Sequence, residues 1–250
     1  MPSGTRPLVL GHRGAPRAAP ENTLRAFRLA MEEGADGVEL DVQPSADGVP
    51  VVLHDDTLDR TTDASGDVAT LPWARIAGAR AAGEPVPRLE EVAEWAAESG
   101  AFLNVELKRA GAEAASVDAI ARAGLRGRTI FSSFLAESVA EVRRLDPAAA
   151  CYLLSDGRAS SALTAARQLR ASGGCLAARR STPAVLAECR RLGLPVIAWT
   201  VDRPPRIRGL LGDGVQGVIT NLPALAVEVR RRMEESGAPW IAPALPASSG

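Results

Sequence analysis

Eight short apolar runs, separated by longer segments rich in Ala, Leu, Arg and Glu, constrain this chain more than any other feature. The runs lie at Leu8–Gly11, Gly37–Gln43, Ala101–Leu107, Thr129–Ser132, Ala149–Leu154, Gly174–Ala177, Pro195–Thr200 and Gly217–Thr220. Helical patterning fills the intervals, most clearly at Thr23–Glu33, Leu89–Glu98, Ala136–Leu145, Pro183–Leu192 and Leu222–Met233. Thr182-Pro183 and Asn221…Pro223 read as helix starts, each with a capping residue and a proline in the first turn. Strands that alternate with helices are joined by crossovers and form a parallel sheet wrapped by helices. Eight such units in 250 residues predict a closed α/β barrel, the (β/α)8 TIM barrel, rather than an open doubly wound sheet. That barrel typically takes about 250 residues.

The rhythm breaks once. Between Pro50 and Pro87 a short strand, Val51-Val52-Leu53, precedes a polar stretch punctuated by Gly and Pro. Insertions of this kind belong in βα loops, which build the active-site face of a barrel. The expected organisation is one barrel domain over residues 1–236 with a small insertion after the second strand, at about residues 55–87. The Ala-, Pro- and Ser-rich tail over 237–250 is expected to be frayed or disordered.

Charge narrows the partners. The formal net charge is −1 with both signs mixed along the chain, so nothing favours nucleic acid or an anionic membrane. No window approaches the ~20 apolar residues of a bilayer span. The first strand begins too early to leave room for a signal peptide. Cys151, Cys175 and Cys189 lie far apart with no CxxC pair, which points to buried thiols in a reducing compartment. The expected location is the cytoplasm.

Two neighbouring strands carry an unusual inner face. Because i and i+2 share a face, Glu39, Asp41 and Gln43 group together on one, and Asn104, Glu106 and Lys108 on the other. Central parallel strands are normally apolar on both faces, so core packing does not explain the pattern. A single ExD is common on exposed edges, where it pairs with Arg or Lys, but two in adjacent strands are harder to dismiss. Glu39, Asp41 and Glu106 converging in one place repel each other and lose hydration, which a cation relieves. All-oxygen ligands without Cys favour one hard divalent ion, Mg2+ or Ca2+. The only two histidines, His12 and His54, each follow a strand, where barrel enzymes keep their catalysts. Paired imidazoles suit acid–base work, since their pKa lies near working pH. Arg13 is suited to grip a phosphate, and Lys108, the only lysine, adds a second cation. Together these groups indicate phosphoryl transfer or hydrolysis.

The ordered motifs resemble one family. Gly11-His12-Arg13-Gly14, Pro20-Glu21-Asn22-Thr23, Glu39-Leu40-Asp41, the run from Asp47 through His54-Asp55-Asp56 to Thr62, Pro87–Val92, Glu106-Leu107-Lys108, Ser132-Ser133-Phe134, Trp199–Asp202 and Gly217–Asn221 are similar to the glycerophosphodiester phosphodiesterases. The resemblance covers about residues 8–225. It implies a TIM barrel with a small insertion, and metal-dependent hydrolysis of a glycerophosphodiester to glycerol 3-phosphate and an alcohol. It further implies that Glu39, Asp41 and Glu106 bind the cation and that His12 and His54 act as acid and base. Arg13 and Lys108 are implied to contact phosphate, Phe134 and Trp199 to form an apolar wall, and Glu21 and Asn22 to lie near the site, Glu21 holding Arg13 or a neighbouring loop. Which histidine starts as base stays open, with His12 favoured. So does the choice between water and a glycerol hydroxyl as attacking group. Asn221 stands where the family usually has Asp, and Arg88 where it usually has Thr; Arg88 reads as neutral surface variation. Two other readings compete: a lysophospholipase D-type activity, for which the insertion offers Leu71, Trp73 and Ile76 as apolar groove residues, and a barrel that binds phosphodiesters without turnover.

Overall fold

The computed structural model describes residues 6–237 together with 240 and 241. Among these, eight parallel strands form the expected barrel: β1 (Leu8–His12), β2 (Gly37–Pro44), β3 (Phe102–Leu107), β4 (Thr129–Ser133), β5 (Ala150–Ser155), β6 (Gly173–Ala177), β7 (Val196–Trp199) and β8 (Gly217–Thr220). Each neighbour pairs in sequence order, and β1 closes the ring by pairing with both β8 (Leu10↔Ile219) and β2 (His12↔Glu39). Eight helices wrap it: α1 (Leu24–Glu32), α2 (Leu89–Ser99), α3 (Glu113–Arg122), α4 (Ala136–Leu145), α5 (Ala159–Gln168), α6 (Pro183–Arg191), α7 (Pro204–Gly212) and α8 (Pro223–Glu235). The tail expected to fray lies outside the described residues, apart from Gly237, Trp240 and Ile241.

Strand alternation divides the apolar residues into two cores. Val38, Leu40, Val42, Leu103, Val105 and Leu107 face outward and pack with helix residues such as Phe27, Val92 and Ile120. Leu10, Ile130, Tyr152, Leu154, Cys175, Ile197 and Ile219 fill the barrel interior. The interior is therefore plugged, and only the upper ends of the strands are free to carry polar groups. Gly37 allows β2 to approach β3 closely, because a Cβ there would stand 2.0 Å from the Phe102 carbonyl oxygen. All three cysteines are buried and unpaired.

The helix ends follow local chemistry, with one departure. Thr23 caps α1 by accepting from the Ala26 amide at 3.2 Å, and Thr182 caps α6 ahead of Pro183. At α8 the expected cap fails. Leu222 occupies the cap position before Pro223 without a side-chain bond, because the Asn221 side chain is engaged by Asp202 and His12 instead. Arg88 is more than neutral surface. Its backbone N–H donates to Glu91 at 2.8 Å, and its guanidinium lies 5.6 Å from the Trp73 ring, joining α2 to the insertion. A guanidinium has no acceptor, so only the Glu91 half of a capping box can form.

Between β2 and α2 the chain leaves the barrel. A strand at Pro50–Val52 runs antiparallel to the end of β2. A 3-10 turn at Val68–Thr70, a short helix at Trp73–Ile76 and a ribbon of Arg80–Ala81 with Glu84–Pro85 follow. This excursion has its own core of Val51, Leu53, Leu58, Val68, Ile76, Ala79 and Val86. Ile76 is fully buried in it and is not available to line a lipid groove. Truncating a buried Ile costs roughly 2–5 kcal/mol. Ile76→Ala should therefore strip hydrogen-exchange protection from the insertion while β4–β8 keep theirs. Uniform loss of protection across the barrel would show that the excursion has no separate core.

Candidate active site

The site stands at the C-terminal ends of β1, β2 and β3, capped by the loop after β1 and the start of the insertion. A cavity of about 220 Å3 opens there, lined by His12, Arg13, Glu39, His54, Asn104, Glu106, Lys108, Phe134, Leu154, Trp199 and Ile219. Of the residues given a role at the site from sequence, eight line it directly: His12, Arg13, Glu39, His54, Glu106, Lys108, Phe134 and Trp199. Asp41, Glu21 and Asn22 sit behind this lining and touch it through hydrogen bonds and ion pairs.

Register brings the carboxylates together. Glu39 lies opposite Asn104, and Asp41 opposite Glu106, across the β2–β3 pair. One oxygen from each of Glu39, Asp41 and Glu106 lies within 4.8 Å of the others, and all three residues are buried. Burial first, then the repulsion of Asp41 and Glu106, pushes Glu39 well above the usual carboxylate range. Burial and Asp41 likewise raise Glu106, against the pull of Lys108. Lys108 Nζ donates to Glu106 at 2.7 Å and lies 3.6 Å from Asp41. Arg13 Nε lies 3.2 Å from Asp41. Two cations thus face three carboxylates, and Glu39 has neither within salt-bridge distance. Carboxylates that remain strained toward protonation beside Lys and Arg form a donor set fit for a hard divalent cation.

The loop after β1 is shaped by two residues in the left-handed region, Arg13 (φ 54°) and Asn22 (φ 58°). Gly11 admits the fold-back, since a Cβ there would meet the Gly14 carbonyl at 2.3 Å. The turn aims the Arg13 backbone N–H at Glu39 (3.0 Å) and its Nη1 at Glu21 (2.8 Å). Asn22 reads both sides of Asp41, donating from Nδ2 to the carboxylate at 2.9 Å and accepting the Asp41 amide at 3.3 Å. These bonds orient Asp41 without adding charge.

His54 is positioned from below and from the side. Fully buried Gln43 donates from Nε2 to the carbonyls of Leu53 (3.1 Å) and Asp55, one on either side of the histidine. Asp55 takes the Nδ1 side of His54 at 2.7 Å. Arg60 then donates to Asp55 at 2.9 Å and to Glu21 at 2.7 Å. Arg60, the largest influence, holds Asp55 below the usual carboxylate range with help from His54 and against burial. Glu21 therefore joins the Arg13 loop to the insertion. Gln43 and Asp55 were visible in the sequence as a polar strand residue and a motif neighbour, but nothing there assigned them these roles. Arg60 carried no local signal beyond the motif.

His12 is held by its own pair of residues. Its Nδ1 meets Asn221 Oδ1 at 2.7 Å, and its Nε2 lies 3.9 Å from Glu39, beyond hydrogen-bond reach. Burial, the largest influence, lowers the His12 pKa, and Arg13 adds to this while the Asn221 bond opposes it. On the far side, Trp199 donates from Nε1 to the Cys175 carbonyl at 3.0 Å. It meets Phe134 edge-on with centroids 5.6 Å apart, and Phe134 is 46% exposed at the rim.

Fold and site together describe a barrel enzyme whose cavity combines carboxylates, imidazoles and two cations. Residues 12–225 match the model of the glycerophosphoryl diester phosphodiesterase family, and the chain belongs to that family. A glycerophosphodiester phosphodiesterase of Caldanaerobacter subterraneus is 34% identical over 238 residues, spanning 90% of this chain and 98% of the relative. An Oleispira antarctica phosphodiesterase, solved in complex with the product sn-glycerol-3-phosphate, superposes with a TM-score of 0.81 at 28% identity, covering 89% of this chain and 96% of that one. A glycerophosphodiester phosphodiesterase from Agrobacterium tumefaciens gives 0.77 at 30% identity, covering 89% and 99%.

The raised carboxylates have a thermodynamic consequence. In the absence of a cation the folded chain retains protons that the unfolded chain releases, so stability falls as pH rises above 4.5. At about pH 8 in EDTA, Glu39→Gln should melt above the wild type. Mg2+ or Ca2+ at a hundred times its Kd adds about 2.7 kcal/mol, a wild-type Tm gain of roughly 5–10 °C at this chain length. The variant should gain far less. A wild-type Tm indifferent to both ions would sink the cation reading.

Proposed function

We propose that this chain hydrolyses glycerophosphodiesters to glycerol 3-phosphate and an alcohol, with one divalent cation, Mg2+ or Ca2+, held by Glu39, Asp41 and Glu106. The observation that carries the reading is the grouping of both histidines, two of those carboxylates, Arg13 and Lys108 around a single cavity. The product-bound Oleispira relative supports the choice of glycerol 3-phosphate. The proposed unit is one phosphodiesterase domain, and three buried, unpaired thiols suit a cytoplasmic location. Among the described residues, no helix is long and apolar enough to cross a membrane.

A divalent cation held by Glu39, Asp41 and Glu106 would supply positive charge against the anionic phosphate. Arg13, braced by Glu21, and Lys108, braced by Glu106, hold the phosphate. His12 takes the proton of the attacking oxygen at Nε2, since its Nδ1 is engaged by Asn221. His54 gives a proton to the departing alcohol from Nε2, with its Nδ1 on Asp55. The Asp55 bond fixes the His54 ring so that Nε2 is the nitrogen left for the alcohol. Phe134, Leu154, Trp199 and Ile219 form an apolar wall for the carbon skeleton. Four apolar side chains around a cavity of about 220 Å3 favour a small diester over a lysophospholipid.

The deciding assay follows glycerol 3-phosphate release from glycerophosphocholine, glycerophosphoethanolamine and glycerophosphoglycerol, with EDTA and with added Mg2+ or Ca2+. Release should require the cation. His12→Ala and His54→Ala should each lose roughly 10²-fold or more in kcat while keeping the wild-type Tm. Turnover close to wild type in either variant would remove its assigned role. Faster turnover of lysophospholipids than of all three diesters would move the assignment to the lipid reading.

A further inference from the structure

Asn221 does more at the barrel mouth than replace a carboxylate. Its backbone N–H donates to Asp202 Oδ1 at 2.8 Å, and its Nδ2 donates to Asp202 Oδ2 at 2.7 Å. Thr220 Oγ1 adds a third bond to the same carboxylate at 3.0 Å. An ionised carboxylate only accepts, so the NH2 end of the Asn221 amide must face Asp202. Its oxygen must then face His12, 2.7 Å from Nδ1. A carbonyl oxygen also only accepts, so Nδ1 of His12 carries the proton. Neutral His12 is thereby left with a bare Nε2, and among the described residues that nitrogen has no hydrogen-bond donor.

We propose that Asn221, oriented by Asp202, is a positioning residue that locks His12 as its Nδ1–H tautomer and so keeps Nε2 free to accept a proton. The role of that Nε2 as catalytic base rests on the function proposed above; the tautomer itself does not. The same geometry explains why Asp at this position needs a compensating change. A carboxylate at 221 would face Asp202 across the 2.7 Å now spanned by an N–H···O bond, with no proton to share. Exchanging the two side chains restores every bond. The introduced carboxylate then accepts from His12 and from the new amide, whose oxygen takes the 221 backbone N–H and the Thr220 hydroxyl.

Long-range 1H–15N spectra of the labelled protein at about pH 8.5, some two units above the ordinary imidazole pKa, read the tautomer directly. The chain has two histidines, and His54→Gln assigns the signals. His12 should show a protonated Nδ1 and a bare Nε2. An Nε2–H or evenly mixed His12 would overturn the proposal, whatever the activity. In Asn221→Leu the His12 signals should shift toward Nε2–H, with kcat at least ~10-fold lower and KM little changed. Asn221→Asp alone should also lose kcat, and Asn221→Asp combined with Asp202→Asn should recover the Nδ1–H form and much of the rate. A combined variant no better than Asn221→Asp would refute the pairing. A wild type with the stated tautomer but no diesterase activity would refute the proposed function and leave the tautomer lock standing.

Discussion

The convergence of Glu39, Asp41 and Glu106 at the top of β2 and β3 is the constraint on which the rest of the site depends. Three buried carboxylates within a few ångströms of each other are costly, and each neighbouring element contributes something against that cost. The residue following β3 is Lys108, the β1 loop supplies Arg13 and a backbone N–H, and Asn22 supplies amide bonds on both sides of Asp41. None of these fully satisfies Glu39, whose only hydrogen-bond partner among the described residues is the Arg13 backbone N–H. Unrelieved charge at one vertex of an otherwise braced cluster is what a cation site requires.

Bracing also explains the left-handed backbone of the β1 loop. Arg13 and Asn22 both adopt positive φ, a conformation that costs a non-glycine residue of order 1–3 kcal/mol. Their backbones bond to each other, the Asn22 N–H donating to the Arg13 carbonyl at 3.0 Å, so the two strained residues support one turn. That turn brings a backbone donor to Glu39, a guanidinium to Glu21 and an amide to Asp41. A relaxed loop of the same length would have to give up at least one of them.

What the sequence made legible follows from the range of the interactions. Strand alternation placed Glu39, Asp41 and Glu106 on one inner face because periodicity is local, and the eight-unit barrel followed from the repeat. Interactions that depend on barrel closure were not legible. His12 and Asn221 are 209 residues apart and meet because β1 pairs with β8. The local rule therefore read Asn221 as a helix cap ahead of Pro223, a sound inference from the dipeptide pattern that tertiary contact overrides. Arg60 was hidden for a related reason: its partners Glu21 and Asp55 come together only when the insertion lies over the β1 loop.

The two histidines end up with partners of different charge, and the roles proposed for them rest on that difference. Both use Nδ1 for a structural bond, and among the described residues neither Nε2 has a hydrogen-bond partner. His54 leans on Asp55, which Arg60 chiefly holds below the usual carboxylate range. His12 leans on the neutral amide of Asn221, while burial and Arg13 weigh against its protonation. A carboxylate at 221 could hold the same Nδ1–H tautomer only if residue 202 became an amide, because two carboxylates would otherwise face each other. Asn221 moves the negative charge one residue back, to Asp202, where it orients the amide without touching the imidazole. The proposed acid and base thus differ in that one histidine is paired with a charge and the other with a dipole.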